Sequence, residues 1–169
     1  MSMILGIDPG SRVTGFGLIR ADQKTIELVS YGVIRLPTQA SFPQRMRELS
    51  EGLEQILDKY RPDAVAIEQI FLGKNADSAF KLGHARGVAM AEAAKAGAQV
   101  FEYATRVVKK TLTGKGSGDK EQVLAIVERM LGVSGIEPLD ASDALALALH
   151  HGLMLRNGIA LTTLRENVL

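Results

Sequence analysis

Strand-like apolar runs come at two spacings in this chain, and that difference restricts the fold more than any other feature. Residues 3–8, Val13 to Ile19 and Ile26 to Leu36 follow one another closely, with short turns such as Ala21-Asp22-Gln23-Lys24 between them. Connections that short suit antiparallel neighbours. Ala64 to Ile67 and Ala98 to Tyr103 stand instead behind long helical stretches. Segments spaced that way join a sheet in parallel, through right-handed crossovers. The expectation is an α/β fold, a mixed five-stranded sheet flanked by helices on both faces.

The helical stretches carry their own periodicity. Phe42, Met46, Leu49, Leu53, Ile56, Leu57 and Tyr60 recur at intervals of three and four and predict a helix that Arg61-Pro62 ends. Residues 76–96, rich in alanine and glycine, predict a second helix, and residues 104–112 a short third. Thr113 to Gly118 reads as a glycine-rich loop. Val123, Ile126, Val127, Met130 and Leu131 mark another amphipathic helix, and Ala141 to Leu155 an almost wholly apolar, buried one. Residues 1–157 are expected to form one domain, and 158–169 a mobile tail thin in core residues. The absence of cysteine excludes disulfides, thiolate metal sites and a cysteine nucleophile. Asp8 breaks the N-terminal apolar run, so no signal peptide is read, and no uncharged run is long enough to span a bilayer. A cytoplasmic location is the expectation.

Acids stand where such runs end. Asp8 closes Met3-Ile4-Leu5-Gly6-Ile7, Glu68 closes Ala64-Val65-Ala66-Ile67, and Asp140 and Asp143 flank Ala141-Ser142 ahead of the last apolar helix. Carboxyl ends of strands in open sheets are where ligands sit. Acids three apart on a helix share one face, so Asp140 and Asp143 could reach one metal; the same pair also suits an N-cap and an acid three residues on. Asp8-Pro9-Gly10 is equally ordinary turn chemistry, and Glu68 could be a solvent-facing acid. Gathered together, these carboxylates repel one another, and a hard divalent cation is the usual remedy.

Net charge is only +1, yet cations cluster. Arg106, Lys109, Lys110, Lys115 and Lys120 fall between 106 and 120, and Lys74, Lys81 and Arg86 between 73 and 87. Such patches bind phosphate or are simply solvated faces. Phe71, beside glycine and lysine after Glu68, is either a satellite core contact or an aromatic that stacks on an unpaired base. His150-His151 point in different directions on a helix, which argues against a shared metal.

Taken together, Gly6-Ile7-Asp8-Pro9-Gly10-Ser11-Arg12-Val13-Thr14-Gly15, Ala66-Ile67-Glu68-Gln69-Ile70-Phe71, Lys74-Asn75-Ala76-Asp77-Ser78-Ala79 and Asp140-Ala141-Ser142-Asp143-Ala144-Leu145 resemble the RuvC family of bacterial Holliday-junction resolvases, collinearly over about residues 3–155. The resemblance implies an RNase H-like fold and a homodimer. It implies paired, Mg²⁺-dependent nicking of four-way DNA junctions in recombination and repair, leaving 5′-phosphate and 3′-hydroxyl ends. Two Mg²⁺ per site, replaceable by Mn²⁺, would be held by Asp8, Glu68, Asp140 and Asp143 as catalytic acids. Phe71 matches the family's junction-contacting aromatic, and Lys109 and Lys120 its basic residues at the DNA. RuvA and RuvB, the branch-migration proteins, are the implied partners. Two other readings compete. An actin-like or sugar-kinase-type ATP-binding domain also starts on a strand meander with an Asp-x-Gly, but needs a second lobe. A non-catalytic junction-binding module has no need of all the acids. ATP hydrolysis separates the first from a nuclease, and metal-dependent cleavage the second.

Overall fold

The computed structural model describes residues 1–69, 76–156 and 158. Its sheet is assembled from β1 (Ser2–Asp8), β2 (Val13–Ala21), β3 (Ile26–Arg35), β4 (Ala64–Glu68) and β5 (Gln99–Tyr103), in the order β3-β2-β1-β4-β5. The first three pair antiparallel, and β4 joins β1, and β5 joins β4, in parallel. The five-stranded mixed sheet expected from strand spacing is thus present. The turn between β2 and β3 sits one residue later than its composition suggests. β2 runs through Ala21, and Asp22 Oδ1 accepts from the N–H groups of Lys24 and Thr25, each at 2.8 Å.

Helices α1 (Phe42–Tyr60) and α2 (Ala76–Lys95) cover one face, and α3 (Thr105–Thr113), α4 (Lys120–Leu131) and α5 (Leu139–Arg156) the other. Local signals set several helix ends. Ser41 and Gln44 form a reciprocal capping box at the start of α1, and Arg61 in the left-handed region closes it. Asp119 accepts from Gln122 N–H at 2.8 Å to start α4.

Strand alternation divides the core in two. Leu5, Ile7, Leu18, Val65 and Ile67 meet Leu49, Leu53, Leu57, Ala85, Ala89 and Ala93 of α1 and α2. Ile4, Ile19, Ala64 and Ala66 meet Leu145, Leu149, Val123 and Val127 on the opposite face. Side chains two apart on a strand share a face. Asp8 is in phase with Ile4 and Gly6, and Glu68 with Ala64 and Ala66, so both carboxylates fall on the α5 side. There α5 lies directly on β1 and β2, with main chain against main chain. A Cβ on Gly6 would stand 1.9 Å from the Ala144 carbonyl oxygen, and one on Gly15 2.0 Å from that of Asp140.

Two adjacent histidines near the end of α5 are buried in this second core. His151 Nδ1 lies 2.7 Å from the Tyr103 hydroxyl, and its ring packs on Phe101. Thr111 donates its hydroxyl proton to the Val107 carbonyl and so accepts from His150 Nδ1, at 2.9 Å. His150 Nε2 is then a buried lone pair with no partner among the described residues. Burial pushes both imidazoles down to about 4. The unfolded chain therefore takes up protons between about pH 6.5 and pH 4 that the folded protein refuses, and stability falls as pH drops through that window. One such group accounts for about 3 kcal/mol at full effect. Melting temperatures measured across this range should fall steeply for the wild type and less steeply for His150→Leu.

Candidate active site

The central strand, β1, ends at Asp8, and the chain beyond it is firmly held. Thr14 Oγ1 accepts from Gly10 N–H and donates to the Gly10 carbonyl, both at 3.1 Å. Arg45 Nη1 donates to the Ser11 carbonyl at 2.8 Å, and Leu36 N–H to that of Arg12 at 2.8 Å. Glu68 ends the neighbouring parallel strand, one residue past the Ile7–Ile67 pair. Asp8 and Glu68 therefore sit side by side. α5 adds Asp143 to the same cavity, of about 230 Å³, lined also by Thr105, Lys109 and Lys120 at the rim and by Val108, Val123, Ala146 and Leu147. Asp140 does not line it but contributes to the field at Asp8. Asp140 is the second residue of α5, which starts at Leu139, so it is a first-turn acid and not an N-cap.

The electrostatic cost of this assembly falls on one group. Burial, then the charges of Glu68, Asp143 and Asp140, push the Asp8 carboxyl up from 3.8 to about 8, with only Lys120 acting against them. Near neutral pH Asp8 is thus largely protonated unless positive charge is supplied. Lys120 Nζ donates to Asp143 Oδ2 at 3.0 Å, and that bond and charge raise the lysine's own pKa. Thr105 donates its hydroxyl to Glu68 Oε1. All the acids offer hard oxygen donors, and the excess negative charge suits a divalent cation. Among the described residues no three acids converge on one ion position as they stand.

The basic residues expected at a phosphate separate into groups. Lys109 and Lys120 line the acid cavity. Lys110, with Arg106 and Gly116, borders a neighbouring groove, and Lys115, with Arg129 and Gln122, another. Lys81 is paired with Asp77 at 2.6 Å along the exposed side of α2. Arg86 stands at the junction of α2 with the sheet. Its Nε donates to the Glu68 carbonyl at 3.1 Å and its guanidinium pairs with Glu102, which ties α2 to the ends of β4 and β5. Phe71 and Lys74 lie outside the described residues. Sequence reasoning missed Thr105, for which the only hint was a hydroxyl beside Ala104, a poor cap residue.

A mixed sheet in this order, with acids at the ends of its central parallel pair and on the helix crossing them, defines an RNase H-like α/β protein. The family model for crossover junction endodeoxyribonuclease RuvC matches residues 4–151, and the chain belongs to that family. The crossover junction endodeoxyribonuclease RuvC of Bdellovibrio bacteriovorus is 56% identical over 149 residues, 88% of this chain and 89% of that protein. Thermus thermophilus RuvC superposes with a TM-score of 0.85 at 32% identity, covering 93% of this chain and 97% of its own. T. thermophilus RuvC in complex with a Holliday junction substrate gives 0.84 at 30%, over the same shares.

Proposed function

We propose that this chain is a Holliday-junction resolvase, a divalent-metal-dependent endodeoxyribonuclease that makes paired symmetric nicks. The observation that carries the reading is Asp8, at the centre of the sheet, with its carboxyl driven to about 8 by burial and by the acids around it. A site organised at that cost is built to receive positive charge. Asp8, Glu68, Asp140 and Asp143 would hold Mg²⁺, or Mn²⁺ in its place. When bound, the metal pair would lower the pKa of a water and stabilise attacking and leaving oxygens. Lys120, kept cationic beside Asp143, and Lys109 at the rim neutralise the backbone phosphate that enters. Lys110, Lys115, Arg106 and Arg129 extend this positive surface along the flanking grooves. Phe71 would stack on a base unpaired at the crossover. The products would carry 5′-phosphate and 3′-hydroxyl ends, and RuvA and RuvB would deliver the junction.

A junction with two-fold symmetry calls for a two-fold enzyme, and α2 offers the face for it. Ala85, Ala89 and Ala93 pack on the chain's own sheet, so the small residues there serve the monomer core. Phe80 is instead 68% exposed, and Gly83 and Gly87 have open space beside them. These form the seam we propose. Phe80→Glu should sediment as a monomer and keep its melting temperature; an unchanged dimer would move the seam elsewhere.

The activity is tested with a synthetic mobile four-way junction and a linear duplex of the same sequence, each with Mg²⁺. Cleavage of the junction alone is expected. Equal cleavage of both, or ATP turnover with neither cut, would overturn the reading.

A further inference from the structure

Thr105 is the first residue of α3, and the position before it, Ala104, makes no side-chain cap bond. A hydroxyl at a helix start ordinarily serves the helix's own free N–H groups. Here it is turned away and reaches across the fold to Glu68 Oε1. The main chain of Glu68 is fixed independently. Its carbonyl accepts from Arg86 Nε at 3.1 Å, and the N–H of Gln69 donates to the Tyr103 carbonyl at 2.9 Å. A glutamate held only by its backbone keeps its side-chain rotations, and ordering them costs free energy whenever the carboxylate is used. With Oε1 held by Thr105, Oε2 has no partner among the described residues, and Glu68 itself lines the cavity that Asp8 and Asp143 share.

We infer that Thr105 is a positioning residue of the nuclease reaction: its hydroxyl orients the Glu68 carboxylate so that one oxygen stays available to the acid cavity. The inference rests on the nuclease reading above. Thr105 acts through Glu68, the partner of its hydroxyl. A hydroxyl donating to an ionised carboxylate makes a charge-assisted bond, stronger than one between neutral groups. Partners that orient ligating side chains in this way typically matter about 10–100-fold in metal affinity or activity when removed.

Thr105→Val keeps the shape and removes the donor, while Thr105→Ser keeps the donor and removes a methyl group. Three readouts separate orientation from structure: Mn²⁺ affinity by calorimetry without DNA, junction affinity without divalent cation, and single-turnover cleavage at saturating Mg²⁺. Thr105→Val should lose roughly tenfold or more in Mn²⁺ affinity and in cleavage rate, with melting temperature and metal-free junction binding unchanged. Thr105→Ser should recover most of both. If Thr105→Val binds Mn²⁺ and cleaves like wild type, or if Thr105→Ser loses as much as Thr105→Val, the inference is wrong. Should Thr105→Val melt early, Thr105→Ser decides alone: wild-type melting with wild-type Mn²⁺ affinity supports the role, and loss of that affinity overturns it. A wild type that fails to cut junctions would sink the nuclease reading, whereas the calorimetry would still decide the positioning of Glu68.

Discussion

Asp8→Asn is expected to abolish junction cleavage while leaving the metal-free protein more stable than wild type. The two effects have one cause. The folded protein raises the Asp8 carboxyl from 3.8 to about 8. Between those values the folded state holds a proton that the unfolded chain releases, so the contribution of Asp8 to wild-type stability declines as pH rises from about 4 to about 8, opposite in sign to that of His150 and His151 below pH 6.5. The amide keeps the shape and never ionises, so the variant avoids that decline. Allowing for partial solvent access at Asp8, the gain at pH 8 should be about 2–4 kcal/mol, or roughly 5–12 °C in melting temperature. Divalent cation should narrow the gap, because ligand binding to the folded wild type stabilises it. Scans at pH 5 and pH 8, with and without Mg²⁺, check this. An Asp8→Asn protein less stable than wild type at pH 8 would mean that the acids do not strain the fold. Junction binding should survive, since it rests mainly on cations and the phosphate backbone.

Gly6→Ala should be among the most destructive single methyl additions at the described glycines. The new Cβ would fall 1.9 Å from the Ala144 carbonyl oxygen and 2.9 Å from Ala148 N. Both obstacles are main chain of α5, which cannot rotate aside as a side chain would. Either α5 lifts from β1, uncovering Leu145 and Leu149, or the strand shifts. Overpacking costs about 1–3 kcal/mol where a core can adjust, and rigid backbone puts this case at or above the top of that range. Lifting α5 also carries Asp140 and Asp143 away from Asp8, so whatever folds should cleave poorly. A thermal melt with a cleavage assay on the soluble fraction checks both. Gly87→Ala, where nothing lies within 4 Å, is the control and should fold as wild type does. Wild-type melting of Gly6→Ala would show that α5 does not rest on β1 as described.

Period and spacing carry the parts of this fold that sequence could reveal. Strand runs joined by short turns paired antiparallel, and those behind helices paired in parallel, because chain length alone decides which connection is possible. The same alternation that buries Leu5 and Ile7 on one face sends Asp8 to the other, and so the shared side of Asp8 and Glu68 was implicit in the residues. Partnerships between distant side chains were not. Nothing local to Arg86 announces that its guanidinium is spent on the Glu68 carbonyl and on Glu102. Thr105 looks like any helix-start hydroxyl until β4 and β5 are placed side by side. The alanine and glycine content of α2 was legible, but composition could not say whether its small residues pack on a second copy or on the chain's own sheet. Ala89 turned out to face the chain's own core, with Phe80 left outward. Asp140 looked like a cap because another acid stands three residues on, yet the helix takes in Leu139 as well.

The central claim is that one acid cavity, centred on Asp8, cuts a four-way junction in a metal-dependent way. Mapping the cut sites on a mobile junction, labelled in turn on each strand, tests it most directly. The account predicts nicks at matching positions in two strands of like polarity, sealable by ligase, dependent on Mg²⁺ or Mn²⁺ and absent with Asp8→Asn. Nicks that persist with Asp8→Asn or without divalent cation, or that fall at unrelated positions in all four strands, would contradict it.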